Sequence, residues 1–174
     1  MTTRRDFLKT MTMASAGLAL GAGDILANPT FASQRKITDK VKIAYVGIGN
    51  RGEQIIGDFA RTGMVEVVAL CDVDMGAPHT QKVMNLYPKA KRFRDFRQMF
   101  DKAGNEFDAV AIATPDHSHF PISMLALASG KHVYVEKPLA RTFYEGELLM
   151  QAALKRPNLV TQVGNQGHSE ANYF

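Results

Sequence analysis

One stretch of the chain restricts its folding more than any other. Lys42-Ile43-Ala44-Tyr45-Val46 is an apolar, strand-like run that enters Gly47-Ile48-Gly49-Asn50-Arg51-Gly52 and then the helix-like residues 53–62. A second apolar run, Val65 to Cys71, is closed by Asp72, 20 residues after Gly52. A strand, a Gly-x-Gly-x-x-Gly turn, a helix and an acid at about that distance are the parts of a dinucleotide-binding βαβ unit. Gly47 allows the tight turn, Gly49 lets a pyrophosphate approach the backbone, and Gly52 allows the helix to pack closely on the sheet. The helix start offers unpaired N–H groups and a positive dipole end to phosphates. Asn50 and Arg51 lie inside the turn and are candidate contacts of the same ligand. Asp72 is placed to accept hydrogen bonds from the adenosine ribose, with Asp74 as the alternative acid. A carboxylate there repels a 2′-phosphate, and Val73-Asp74-Met75 offers no arginine in its place. The expected cofactor is therefore NAD rather than NADP.

The remaining chain alternates in the same way. Strands are expected over residues 41–46, 65–71, 91–93, 109–113, 132–135 and 159–163. Helices are expected over 51–62, 77–86, 96–103, 120–129 and 142–156. Six strands alternating with helices predict an α/β fold, a doubly wound parallel sheet of the Rossmann type, in a single domain over 41–174. Runs such as Val67-Val68-Ala69-Leu70 and Ala109-Val110-Ala111-Ile112 suit strands covered on both faces. The 174 residues, 45% hydrophobic and 22% charged, suffice for one domain with a sizeable core. A net charge of +4 does not imply a nucleic-acid partner. The basic run Lys89 to Arg97, with Phe93 and Phe96 interleaved, reads as a solvated edge strand with its aromatics packed inward. The single cysteine, Cys71, ends an apolar strand and reads as a buried structural thiol.

Residues 1–32 read as an address rather than as fold. Arg4-Arg5 is followed by Phe7-Leu8-Lys9 and a mildly apolar segment, Met11 to Ala22. That segment is too short and too weakly hydrophobic for a stable membrane span. Cleavage is expected after Ala32, with Ala27 as the alternative, and 33–40 is a polar linker. Removal before Ser33 takes away three basic and two acidic residues, which lowers the net charge by one. The segment resembles a bacterial Tat signal peptide. The resemblance implies the Tat export machinery as a partner and a periplasmic or otherwise exported location. That route carries folded proteins, so NAD acquired in the cytoplasm is expected to travel out bound and to be retained through turnover. Bound ligand also stabilises the folded form by mass action.

In an open parallel sheet, ligands bind at the carboxyl ends of the strands. The fourth such end carries Thr114-Pro115-Asp116-His117-Ser118-His119, and the fifth carries Glu136-Lys137-Pro138. The sixth leads into Gly164 to His168. These residues, with the glycine turn, Cys71-Asp72-Val73-Asp74 and Gly130 to Leu139, resemble the amino-terminal domain of the Gfo/Idh/MocA family of NAD(P)-dependent oxidoreductases. The resemblance runs from about Lys40 to the end. It implies that Lys137 lies beside the nicotinamide and the reacting substrate carbon, and that Glu136 lies at the nicotinamide ribose. It also implies that Thr114, Pro115, His117 and His119 run along the cofactor. A fixed ammonium at position 137 suits that role, because it can orient a substrate hydroxyl and offset the charge that develops as hydride leaves. Glu136 is a candidate salt-bridge partner for Lys137, and Ser118 a candidate cap for the following helix. His168 either faces the substrate or is a loop residue. Asp116, His117 and His119 supply three metal-type ligands without a fourth, so no metal is expected.

Family members carry a second, mainly β domain for the substrate, and residues up to Phe174 are too few to hold one. The sequence is expected to be a fragment of a longer protein or a truncated product. The leading functional expectation is the NAD-binding half of an exported oxidoreductase acting on a sugar or polyol. The alternatives are an NAD-dependent glycosidase that oxidises its sugar transiently, and a non-catalytic NAD-binding module. Whether the protein forms a homo-oligomer stays open.

Overall fold

The structure is a computed structural model and describes residues 40–165. The proposed signal segment, its cleavage sites and His168 lie outside the described residues. The elements run β1 (Val41–Val46), α1 (Arg51–Arg61), β2 (Val65–Cys71), α2 (Pro78–Leu86), β3 (Lys91–Phe93) and α3 (Phe96–Ala103). They continue with β4 (Ala109–Ile112), α4 (His119–Ala128), β5 (His132–Glu136), α5 (Phe143–Leu154) and β6 (Thr161–Gly164). Short 3-10 turns cover Gly104–Glu106 and Asp116–Ser118.

The strands form one sheet in the order β3-β2-β1-β4-β5-β6, and every neighbouring pair is parallel. This is the doubly wound Rossmann arrangement. The order reverses between β1 and β4, which opens a crevice at the carboxyl ends of those strands. Side chains alternate along each strand, so the sheet feeds two cores. Ala44, Val46, Ala69, Val110, Ile112 and Val135 pack beneath α3, α4 and α5. Ile43, Tyr45, Leu70 and Ala111 pack beneath α1 and α2, with Ile55, Ile56, Val83 and Met84. The continuous apolar runs in the sequence are this double coverage seen in one dimension.

Local signals fix the helix ends. Asp95 accepts the Arg97 N–H at 2.8 Å and starts α3. Thr142 and Glu145 form a reciprocal capping box at the start of α5. Ser118, in contrast, makes no side-chain cap. Its backbone is helical and continues the 3-10 turn directly into α4, so the first N–H groups of the helix are already used. Strand β6 begins two residues later than the sequence suggests. The Leu159 N–H turns back to Arg156 O, and the Val160 N–H is taken by the His132 imidazole at 2.9 Å. Strand β3 lies at the sheet edge, with Phe93 and Phe96 against the core and Arg97 over the Phe96 ring at 4.6 Å.

Candidate functional site

Two backbone approaches build the glycine turn. Gly47 has φ +79°, and a Cβ there would stand 2.6 Å from Ala113 O. A Cβ on Gly52 would stand 2.0 Å from Gly47 O. The turn is thus folded onto itself and onto the end of β4 with no room for side chains. Asn50, at φ 45°, is the one described non-glycine residue with positive φ, and it leads into α1. Asp72 holds this turn from the side: its Oδ2 accepts the Ile48 N–H at 2.9 Å and its Oδ1 accepts the Asp74 N–H at 3.0 Å. Asp74 is spent on its own turn, where Oδ1 accepts the N–H groups of Gly76 and Ala77. Of the two acids, Asp72 is the one that faces the crevice.

The crevice is a cleft of about 620 Å³, within the roughly 300–1,000 Å³ typical of small-molecule sites. Of the residues singled out in the sequence, Gly47, Gly49, Asn50, Asp72, Thr114, Pro115 and His117 all line it. Its wall also contains His79, Arg94 and Arg97, which sequence reasoning missed. They come from the start of α2, the turn after β3 and the first turn of α3, whose placement beside Asp72 depends on the sheet order. The His79 ring lies over the glycine turn, so close that a Cβ on Gly49 would be 2.3 Å from its Cδ2. Thr114 Oγ1 is buried with no hydrogen-bond partner. Buried hydroxyls are rarely left so, and this one belongs to a residue of the cleft wall. Open space, the start of helix α1, an acid and an unsatisfied hydroxyl fit a dinucleotide.

Cys71 lies in the same wall. Burial, then the nearby Asp72 and Asp95 carboxylates, push its thiol up to about 12, so it stays protonated and unreactive.

The Glu136-Lys137-Pro138 turn is separate from the cleft lining but tied to it twice. Glu136 is 4% exposed, and its Oε1 receives Arg51 Nε at 3.0 Å, Arg51 Nη2 at 2.8 Å and the Tyr134 hydroxyl at 3.1 Å. Burial, followed by the Glu136 charge, raises the Tyr134 phenol above its usual range, with Arg51 pulling the other way. Arg51 spends its remaining Nη1 on Gln54. The guanidinium expected at the cofactor is thereby engaged with Glu136. The second tie is His119, 1% exposed, whose ring nitrogens meet Pro138 O and Thr114 O.

Lys137 itself is exposed, and no described carboxylate lies within ion-pair distance of its ammonium. The expected Glu136–Lys137 salt bridge is absent. Glu136 ends β5 with its carboxylate turned to Arg51, and touches Lys137 only through the Lys137 N–H at 3.3 Å. That carboxylate is already held by Arg51 and the Tyr134 hydroxyl, and Lys137 lies in the bend just past the end of the strand.

Residues 41–164 match the oxidoreductase family with an NAD-binding Rossmann fold known as Gfo/Idh/MocA. The chain belongs to this family. Among solved structures it is similar to scyllo-inositol dehydrogenase from Lactobacillus casei with bound cofactor NAD(H) and scyllo-inositol. That match has 27% identity and a TM-score of 0.67, and covers 78% of this chain and 39% of the other. It is similar also to the WlbA dehydrogenase of Bordetella pertussis in complex with NADH and UDP-GlcNAcA. Identity there is 25%, the TM-score 0.62 and the coverage 72% and 37%. An alpha-N-acetylgalactosaminidase from Shewanella oneidensis is 29% identical over 82% of this chain. The chain spans 35% of the length of that relative and 35–36% of the length of glycosyl hydrolase family 109 proteins that it matches. The domain is thus an NAD-binding one of the Gfo/Idh/MocA type.

Proposed function

We propose that this domain is the NAD-holding part of an exported oxidoreductase that acts on a sugar or polyol by hydride transfer. The observation that carries the reading is the cleft at the sheet's reversal point, with the Thr114 hydroxyl buried and unpartnered in its wall. In this reading Gly47, Gly49 and Asn50 hold phosphate and Asp72 holds the adenosine ribose. Thr114, Pro115 and His117 line the cofactor's path, and Glu136 sits at its nicotinamide end. NAD, when bound, supplies the hydride acceptor. Lys137 orients the substrate hydroxyl by donating to it, and its charge offsets the negative charge that develops on that oxygen. Arg51 neutralises Glu136, so the turn carries one uncompensated positive charge. His168 is a second candidate on the substrate side.

The similarity to an alpha-N-acetylgalactosaminidase favours a second reading, NAD-dependent glycoside cleavage through transient oxidation of the sugar. One assay on the intact gene product separates the two. Net NADH from a polyol or free sugar supports the dehydrogenase. Release of the aryl alcohol from an aryl glycoside without net NADH supports the glycosidase. Absence of both from every sugar class tested would leave only a binding module.

Asp72→Ala weakens NAD binding and narrows the preference for NAD over NADP. The change removes both the ribose acceptor and the support under the Ile48 N–H. Titration with the two cofactors checks it, and tighter binding of NADP by the unaltered chain would refute the assignment of Asp72. Arg4→Lys combined with Arg5→Lys keeps the protein inside the cell, because the pair acts as an address. Cell fractionation reads this directly, and export that continues unchanged would sink the Tat reading.

A further inference from the structure

We propose that His119 is a positioning residue, a clasp whose buried ring bridges two backbone carbonyls and thereby sets the place of Lys137. The role rests on the reading of Lys137 given above. Nδ1 lies 2.7 Å from Pro138 O and Nε2 lies 2.8 Å from Thr114 O. Both partners are carbonyl oxygens, which can only accept. The ring spans both carbonyls, and the tautomer decides which nitrogen donates. It is 1% exposed, so these contacts and the surrounding packing, not solvent, fix its place.

The position of the clasp gives it a purpose. Thr114 belongs to the cleft wall, and Pro138 follows Lys137 directly. His119 starts α4, whose buried face includes Ile122, Ala126 and Leu127. The ring therefore ties the cofactor wall and the lysine turn to one rigid helix. Arg51 braces the same turn from its other end through Glu136. An exposed lysine side chain gains a defined origin from a backbone fixed on both sides. Small displacements of a reacting group, about 1 Å, cost roughly 100-fold in rate.

Two measurements test this. The first is long-range proton–nitrogen correlation on the folded 174-residue chain labelled in its histidine rings. The His119 signals, assigned by their loss in His119→Gln, should show a ring N–H that is hydrogen-bonded and protected from exchange with water. A ring N–H that exchanges freely would overturn the clasp. The second is a double-mutant cycle in the intact gene product, with a sugar or polyol that it turns over. Glutamine keeps the polarity but lacks the rigid ring that spans the two carbonyls. His119→Gln should lower kcat by roughly 10- to 100-fold and leave NAD affinity within a few-fold. Combined with Lys137→Ala it should add almost nothing, because both changes remove the same positioned ammonium. Independent, multiplying losses would overturn the route through Lys137. An inert Lys137→Ala would instead overturn the Lys137 reading, and the positioning role with it. Should His119→Gln unfold, the ring measurement on the unaltered chain, with signals assigned by exclusion from variants of the other histidines, decides the clasp.

Discussion

Lys137→Ala lowers kcat of the intact gene product by about 10²–10³, the usual cost of one electrostatic group aimed at transition-state charge. Affinity for NAD stays within a few-fold. The split follows from where the side chain stands. Lys137 is exposed, takes no part in an ion pair with a described carboxylate, and is not among the residues that line the cleft. Its backbone N–H, which does meet Glu136, survives the substitution. An interaction made only as charge develops is lost from kcat and from kcat/KM alike. Steady-state kinetics beside a cofactor titration measure both. Full activity would reduce Glu136-Lys137-Pro138 to a structural turn. Collapse of cofactor binding would move Lys137 from the substrate to NAD.

Gly52→Ala produces the opposite split, with its main loss in cofactor binding. The added methyl would stand 2.0 Å from Gly47 O and 2.8 Å from Gly47 C, both backbone atoms of the phosphate turn. Neither can swing aside as a side chain would. Overpacking of this kind costs about 1–3 kcal/mol, and relief comes only by shifting the turn whose N–H groups face the ligand. At about 1.4 kcal/mol per tenfold, NAD affinity should fall by roughly 5- to 100-fold. A titration of the 174-residue chain reads the loss, and a melting curve shows whether the sheet itself survives. Binding within a few-fold of the parent would mean that the turn does not carry the phosphates.

The fold was legible because its signals are local. Glycine spacing, apolar runs of strand length and capping residues such as Asp95 and Thr142 each act within one turn of chain. Those signals put the strands and helices within two residues of their places. The cleft residues next to the glycine turn and at the end of β4 were legible for the same reason, since topology sends all strand ends to one edge. The pairings around them were not. Arg51 meets Glu136 across 85 residues of sequence, and His119 reaches Pro138 across 19. Arg94 joins the wall only because β3 pairs with β2. Distance in sequence hides such contacts. Closeness in sequence, in turn, tempted the pairing of Glu136 with Lys137, whereas the carboxylate is taken by Arg51 and Tyr134.

Cys71 gives the protein a built-in clock. It is the chain's single cysteine, it is 2% exposed, and the residue belongs to the wall of the cleft. A thiol reagent therefore has one target, closed to it in the native state. The rate of labelling counts the excursions in which the end of β2 comes away from its neighbours. When opening and closing are fast compared with the reagent, that rate gives the free energy of opening rather than its speed. The domain can report on its own breathing at the ligand cleft, with no probe engineered into it.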